Sequence, residues 1–418
     1  MIKFERKKLS NGLTVIVHED FSTPMTVVNV LYDVGARDEE PNKTGFAHLF
    51  EHLMFAGSIN IPNYDEPLQR VGGENNAFTN NDITNYYCIL PAVNIETALW
   101  LESDRMLSLA FTEKSLDVQR NVVIEEFKQR YLNQPYGDEW LLLRPLAYEV
   151  HPYQWATIGK ELSHIEQATM QDVKAFFKKF YHPGNAILCI AGGIAADDAF
   201  RLAEKWFGDI PAQIKVKRNL PKEPAQKEER IMRVVRDVPA HSIHKVYHMA
   251  ARNDARYYAQ DLLSDILGRG NSSRLHNELV KNKQLFSQIG AYVTGNLDEG
   301  LLVISGRVTE DVDAEHALDG INHTIQNLLQ NGLHEEELQK VKNKAESSIA
   351  FGEISLMNRA LSLAFSELMG DSGLVNHETE KIQAVSEEEL MSEAKSILRD
   401  INSSTLLYLR KKDSKYDD

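Results

Sequence analysis

Cysteine is scarce in this 418-residue chain: there are two, Cys88 and Cys189. Two thiols cannot make a disulfide framework, and each sits in an apolar, strand-like run (86–90 and 186–191), so they read as small buried hydrophobes. Basic residues are in deficit, with 46 Lys and Arg against 61 Asp and Glu and a formal net charge of −15. No basic cluster with interleaved aromatics offsets that, which argues against a nucleic-acid partner. An acidic surface suits cationic peptides modestly and also serves solubility. No stretch approaches the roughly 18 consecutive apolar residues that a membrane span needs. The N-terminus, Met1-Ile2-Lys3-Phe4-Glu5, shows neither an apolar signal core nor a cleavage pattern, so the expectation is a cytoplasmic protein that does not associate with membranes.

What is present is an ordinary globular composition, 43% hydrophobic and 26% charged. At this length two domains of about 200 residues are expected. Residues 4–8 and 13–18 flank Ser10-Asn11-Gly12 and read as a β-hairpin, and 27–34 reads as a third strand. A loop over 35–43 leads to a helix with Thr44 as its N-cap. A short helix through Leu68 ends at Gly72-Gly73, and strands are expected over 76–79 and 85–90. Amphipathic helices follow over 94–109 and from Thr112 to about 131, then a helix over 163–180 and a buried strand over 185–192. Residues 213–229 turn to Lys, Arg, Pro and Glu and read as a linker, dividing the chain into 1–212 and 230–418.

The most informative stretch is 45–58, Gly-Phe-Ala-His-Leu-Phe-Glu-His-Leu-Met-Phe-Ala-Gly-Ser. On a helix, residues three and four apart share a face, so His48 and His52 can direct two imidazoles at one metal ion with Glu51 beside them. A single buried histidine is more often a satisfied core residue than a ligand. Three ionisable groups in so apolar a segment would cost several kcal/mol if left unpaired, and zinc accounts for them. A zinc site that does chemistry wants a third protein ligand and an open position. Glu126 falls on the inner stripe of its helix, with Leu116, Gln119, Val122 or Val123, and Arg130, which makes it the natural third ligand. Neighbouring Glu125 falls toward the outer face and reads as solvated.

The second half repeats the first. A strand over 242–250 precedes a helix from Arg256 with the hydrophobic rhythm of 45–58; 300–309 repeats 85–91, and 333–343 repeats 111–121. The expected fold class is therefore α+β: two homologous domains from an internal duplication, each an antiparallel sheet packed with helices. The second copy lacks the chemistry. Leu262, Asp265 and Ile266 stand where His48, Glu51 and His52 do, and Ser348 stands near the counterpart of Glu126.

Together these features resemble the M16, or pitrilysin-like inverzincin, metallopeptidases, which include the mitochondrial processing peptidase and insulin-degrading enzymes. The likeness spans the chain: Asn11-Gly12-Leu13, the His48 segment, Gly72-Gly73 before Asn76-Ala77-Phe78-Thr79, the Glu126 helix, and Tyr181-His182-Pro183-Gly184-Asn185. It implies a fold like that of LuxS and the processing peptidases, and a zinc-dependent endopeptidase acting on peptides or unfolded polypeptides. His48, His52 and Glu126 would then hold one zinc ion per chain and Glu51 would be the general base. Asn76, Ala77 and Phe78 would lie on an edge strand that pairs with the substrate. Gln119 stands where relatives often carry a further glutamate behind the metal. The resemblance also marks a departure. Active relatives place an arginine and a tyrosine seven residues apart in the second half, and here those positions hold Val280 and Ser287, with Arg274 and Tyr292 out of register. The implied partner is a second chain of the same fold that carries the pair, with a homodimer as alternative. A non-catalytic subunit of such an assembly is the competing reading.

Overall fold

The computed structural model describes residues 1–215 and 217–411. The chain divides into two compact units. One comprises Met1–Lys128, Trp155–Leu220 and Ile349–Glu378, and the other Gln129–Gln154, Pro221–Ser348 and the chain from Thr379 onward.

The first unit is built on strands β1 (Glu5–Lys8), β2 (Thr14–Glu19), β3 (Met25–Tyr32), β4 (Glu74–Thr79), β5 (Thr84–Pro91) and β6 (Ala186–Gly192), in the spatial order β1-β2-β6-β3-β5-β4. β1 and β2 form the expected hairpin, from Glu5 opposite Val17 to Lys8 opposite Thr14. Gly12 sits in its turn at φ +96°, where any side chain would be strained. β6 is buried along its whole length, so its sequence, Ala-Ile-Leu-Cys-Ile-Ala-Gly, does not alternate. Among the described residues β4 pairs only with β5 and forms an edge.

The second unit contains β7 (Arg230–Arg236), β8 (Ser242–Met249), β9 (Phe286–Val293), β10 (Gly300–Val308) and β11 (Ser403–Arg410), ordered β7-β11-β8-β10-β9. This repeats β2-β6-β3-β5-β4 strand for strand. Even the single parallel pair of each sheet falls in the same place, β6 with β2 and β11 with β7, all other pairs being antiparallel. The shared order is what a duplicated unit predicts.

Two helical segments lie on the opposite side of a division at 1–212, 213–229 and 230–418. The helix Leu356–Leu368 packs Ala360, Leu363 and Ala364 against Ile16, Val27, Leu31 and Cys189 of the first unit's sheet. The helix Glu139–Ala147 sets Leu143 and Ala147 against Val246, Val303 and Leu406 of the second. An amphipathic helix must cover an apolar sheet face, and its own periodicity does not say which one. The first of these helices is also held by charge. Arg359 Nη2 donates to Asp20 at 2.7 Å and its Nη1 lies 2.8 Å from His18 Nε2, while His18 Nδ1 lies 2.6 Å from the Lys3 carbonyl.

The segment read as a linker has no helix or strand among its described residues, but it is tied down. Arg218 bridges Asp33 and Asp38 within the first unit, and Lys215 reaches Asp33 at 2.5 Å. Glu223 accepts from the backbone N–H groups of Glu149, Val150 and His151 within the second, at 2.7–3.0 Å. Among the described residues no helix is long and apolar enough to cross a membrane.

The helix expected over 163–180 is broken into Leu162–Glu166 and Met170–Phe180, because Thr169 and Asp172 form a capping box that starts the second piece afresh. Thr44 is likewise not a cap. The N-cap of the helix Phe46–Leu53 is Gly45, at φ +89°, and the Thr44 hydroxyl is engaged with Lys160 N and His164 Nδ1. Capping falls to buried Glu39, whose two carboxylate oxygens accept from Gly45 N at 2.9 Å and Ala47 N at 2.8 Å. Burial pushes the Glu39 pKa well above the usual carboxylate range, and the two amide bonds offset that only in part.

Glu39→Gln retains one acceptor oxygen and turns an NH2 toward the other amide, so it should cost about 1–2 kcal/mol in chemical denaturation. An unchanged midpoint would refute the capping role. Hydrogen bonds from Ser22 first and Arg359 second hold the Asp20 pKa at about 2, below its usual 3.8. A depressed carboxylate stabilises fully above the unfolded value and progressively less as pH falls through the folded one. Stability should therefore decline between pH 3.8 and about 2, and Asp20→Asn should flatten that part of the pH–stability profile.

Candidate metal centre

The His48 helix is eight residues long, Phe46–Leu53, and is seated by its apolar side. Phe46, Ala47, Leu49, Phe50 and Leu53 are buried. The Phe50 ring stacks on Phe176 and Tyr181, with centroids 4.9 and 5.1 Å away. Tyr181 belongs to the Tyr-His-Pro-Gly-Asn turn, and Asn185 ties that turn to the Asp33 and Phe180 carbonyls. The segment just after the helix is held by a buried arginine. Arg105 pairs with Glu102 at 2.5 Å and lies 4.4–5.2 Å from the rings of Phe55, Tyr64 and Tyr86.

With that side fixed, His48, Glu51 and His52 project from the opposite, partly open side. The two imidazoles stand edge to face with centroids 4.9 Å apart. The helix Glu113–Phe127, started by a Thr112–Ser115 capping box, delivers Glu126 to the same point. Glu126 Oε2 lies 3.7 Å from His48 Nε2 and 3.5 Å from His52 Nε2. One ligand atom from each of the three residues lies within 4.8 Å of the other two. Zinc bonds of ~2.0–2.1 Å at tetrahedral angles place ligand atoms about 3.3 Å apart, so the two carboxylate–imidazole distances are already close to those around such an ion. The donor chemistry, two imidazole nitrogens and a carboxylate, also suits zinc. The three side chains are 13, 25 and 18% exposed, enough to leave one side of the site accessible.

Glu125 points the other way, 71% exposed and paired with Lys128 at 2.8 Å. The inner stripe passes through Leu116 and Val123, both buried, rather than Val122. Gln119 is half-buried seven residues before Glu126, two turns earlier on the same helix face.

Two residues at the site were not singled out from the sequence. Glu39, the helix cap, lies in a polar loop where any of several acids could serve. Thr79, the last residue of β4, donates from Oγ1 to Glu51 Oε2 at 2.7 Å. The period of two along β4 was the available signal, since it puts Thr79 on the half-buried face with Asn75 and Ala77 while Asn76 and Phe78 are exposed. Asn76 bonds its own neighbour, Oδ1 accepting from Ala77 N at 2.8 Å.

The second unit offers no such centre at the matching place. Leu262 and Ile266 are buried core, Asp265 is paired with Arg269 at 3.2 Å, and Ser348 bonds the Lys344 carbonyl. Val280 is half-buried, and Ser287 is exposed with Oγ on the Arg307 carbonyl. Arg274 is engaged with Glu337 at 2.6 Å, and Tyr292 lies part-exposed on β9, its pKa pushed up to about 12 by burial.

Comparison with known proteins places the chain in a family. Residues 14–138 match the model of the insulinase (M16) peptidase family, and residues 167–345 match that of the M16 inactive domain. A zinc protease of Helicobacter pylori, PqqE, is 33% identical over 346 residues, covering 81% of this chain and 78% of that protein. An uncharacterized zinc protease of Bacillus subtilis, YmxG, is 26% identical over 351 residues, 84% of each chain. The crystal structure of a protease from Helicobacter pylori superposes with a TM-score of 0.92 at 29% identity, covering 99% of this chain and 100% of the other. The chain belongs to the M16 family of peptidases.

Proposed function

We propose that this chain is the catalytic, zinc-holding half of a metalloendopeptidase that cleaves peptides or unfolded polypeptides. The observation that carries this reading is the convergence of His48, His52 and Glu126 on one point with Glu51 beside it. In this reading His48, His52 and Glu126 hold the ion. Zinc, when bound, polarises the scissile carbonyl and makes an attacking water more acidic. Glu51 takes the proton from that water and passes it to the departing amine. β4 has a free edge at Asn76, Ala77 and Phe78, onto which an extended peptide can add as a further strand. Gln119, two turns before Glu126 on the same helix face, would in this reading be a hydrogen-bonding but uncharged group behind the metal.

Val280 and Ser287 give this chain no arginine or tyrosine at the positions where active relatives carry the pair, and Arg274 is already engaged. We propose that the missing donors come from a second subunit of the same fold, in a heterodimer rather than a homodimer. The compartment we propose is the cytoplasm, in keeping with two buried thiols that form no disulfide.

His48→Ala and Glu126→Ala should each remove stoichiometric zinc, measured by metal analysis of the purified protein, and Glu125→Ala should not. Retention of zinc by His48→Ala would overturn the site. On quenched peptides, Glu51→Gln should keep zinc and lose ~100- to 10,000-fold in kcat. The chain alone should be ~100- to 1,000-fold slower than when mixed with an arginine- and tyrosine-bearing relative. Equal rates would exclude the heterodimer.

A further inference from the structure

The Thr79 hydroxyl is placed where it has a consequence for the reaction and not only for the fold. An ionised carboxylate only accepts, so the 2.7 Å contact is a bond donated by Thr79 to Glu51 Oε2. It holds one carboxylate oxygen, Oε2, of Glu51 in a fixed direction. The donor is also rigid. Thr79 ends β4 paired with Thr84 of β5, whose own hydroxyl donates to the Val34 carbonyl at 2.9 Å. As a β-branched residue, Thr79 has few rotamers to choose from. Thr79 directly follows Asn76, Ala77 and Phe78, so the strand edge offered to a peptide and the group that orients the base are consecutive on one strand.

We propose that Thr79 is a positioning residue for the general base: it sets the carboxylate plane of Glu51 and ties that orientation to the strand on which the peptide is seated. This rests on the peptidase reading given above. A bond of this kind, one step removed from the reacting atoms, typically changes activity by ~10- to 100-fold when lost. Thr79→Val keeps the shape and the β-branch but removes the donor. Thr79→Ser keeps the donor but not the branch.

The test has two parts. In the zinc-loaded full chain, together with any partner it requires, Thr79→Val should lower kcat about 10-fold with KM and zinc content unchanged, and Thr79→Ser should recover most of that loss. Unchanged kcat in Thr79→Val would overturn the proposal. So would a Thr79→Ser as slow as Thr79→Val, or a loss of kcat that follows a loss of zinc, since both point to a merely structural role. The second part needs no activity: a double-mutant cycle of thermal stability on the metal-free chain, pairing Thr79→Val with Glu51→Ala. Thr79→Val should shift the melting temperature in the wild-type background and not in Glu51→Ala, and additive shifts would overturn the proposal. A wild-type chain that binds zinc and folds but cleaves no peptide even when mixed with an arginine- and tyrosine-bearing relative would defeat the peptidase reading, and with it the catalytic role of Thr79, whereas additivity in an active enzyme defeats the Thr79 proposal alone.

Discussion

Everything at the candidate centre depends on an eight-residue helix that could not hold its own shape. Isolated helices of this length are not stable in water, because nucleation costs more than two turns of hydrogen bonds return. Its stability therefore comes from outside: a buried carboxylate on its first amides, aromatic rings beneath Phe50, and the Arg105 cluster under the chain that follows. Two histidines and a glutamate on its open face are then fixed as a set, because the face is fixed. Glu126 can serve them from another helix only because both helices are seated on the same unit.

The second unit shows the same frame without that demand. The strand order is retained, and so is the parallel pair, while the helix at the matching place carries leucine and isoleucine inward and pairs Asp265 with Arg269. Once no metal ligands are required, the segment reverts to ordinary core. The contrast separates what the fold needs, an apolar helix across a sheet, from what the chemistry adds to it.

Much of this was legible in the sequence because it is local. The i, i+3, i+4 spacing of His48, Glu51 and His52, the hairpin at Asn11-Gly12 and the rhythm shared by 45–58 and the helix from Arg256 each lie within a few turns of chain. Glu126 was within reach because the helical period distinguishes it from Glu125. What escaped was non-local or masked by composition. β9 carries Ser287, Gln288 and Gly290 and so lacks a clean alternation. Glu39 caps a helix from a loop rich in candidate acids. The break at Thr169 looks like helix from both sides. The destinations of the helices at 139–147 and 356–368 are set by sheets that their own residues do not describe.

Those two helices also bear on how such a molecule can be cut and recombined. A gene divided at the polar stretch near residue 213 would yield two products of nearly equal length, each missing a piece of its own hydrophobic interior and carrying a piece of the other's. Each would expose an uncovered sheet face in exchange for a stray amphipathic helix. The duplicated halves are thus relatives by descent without being interchangeable modules. A functional chimera would have to take its crossover points from the boundaries of the compact units, near residues 128, 155, 220, 349 and 378.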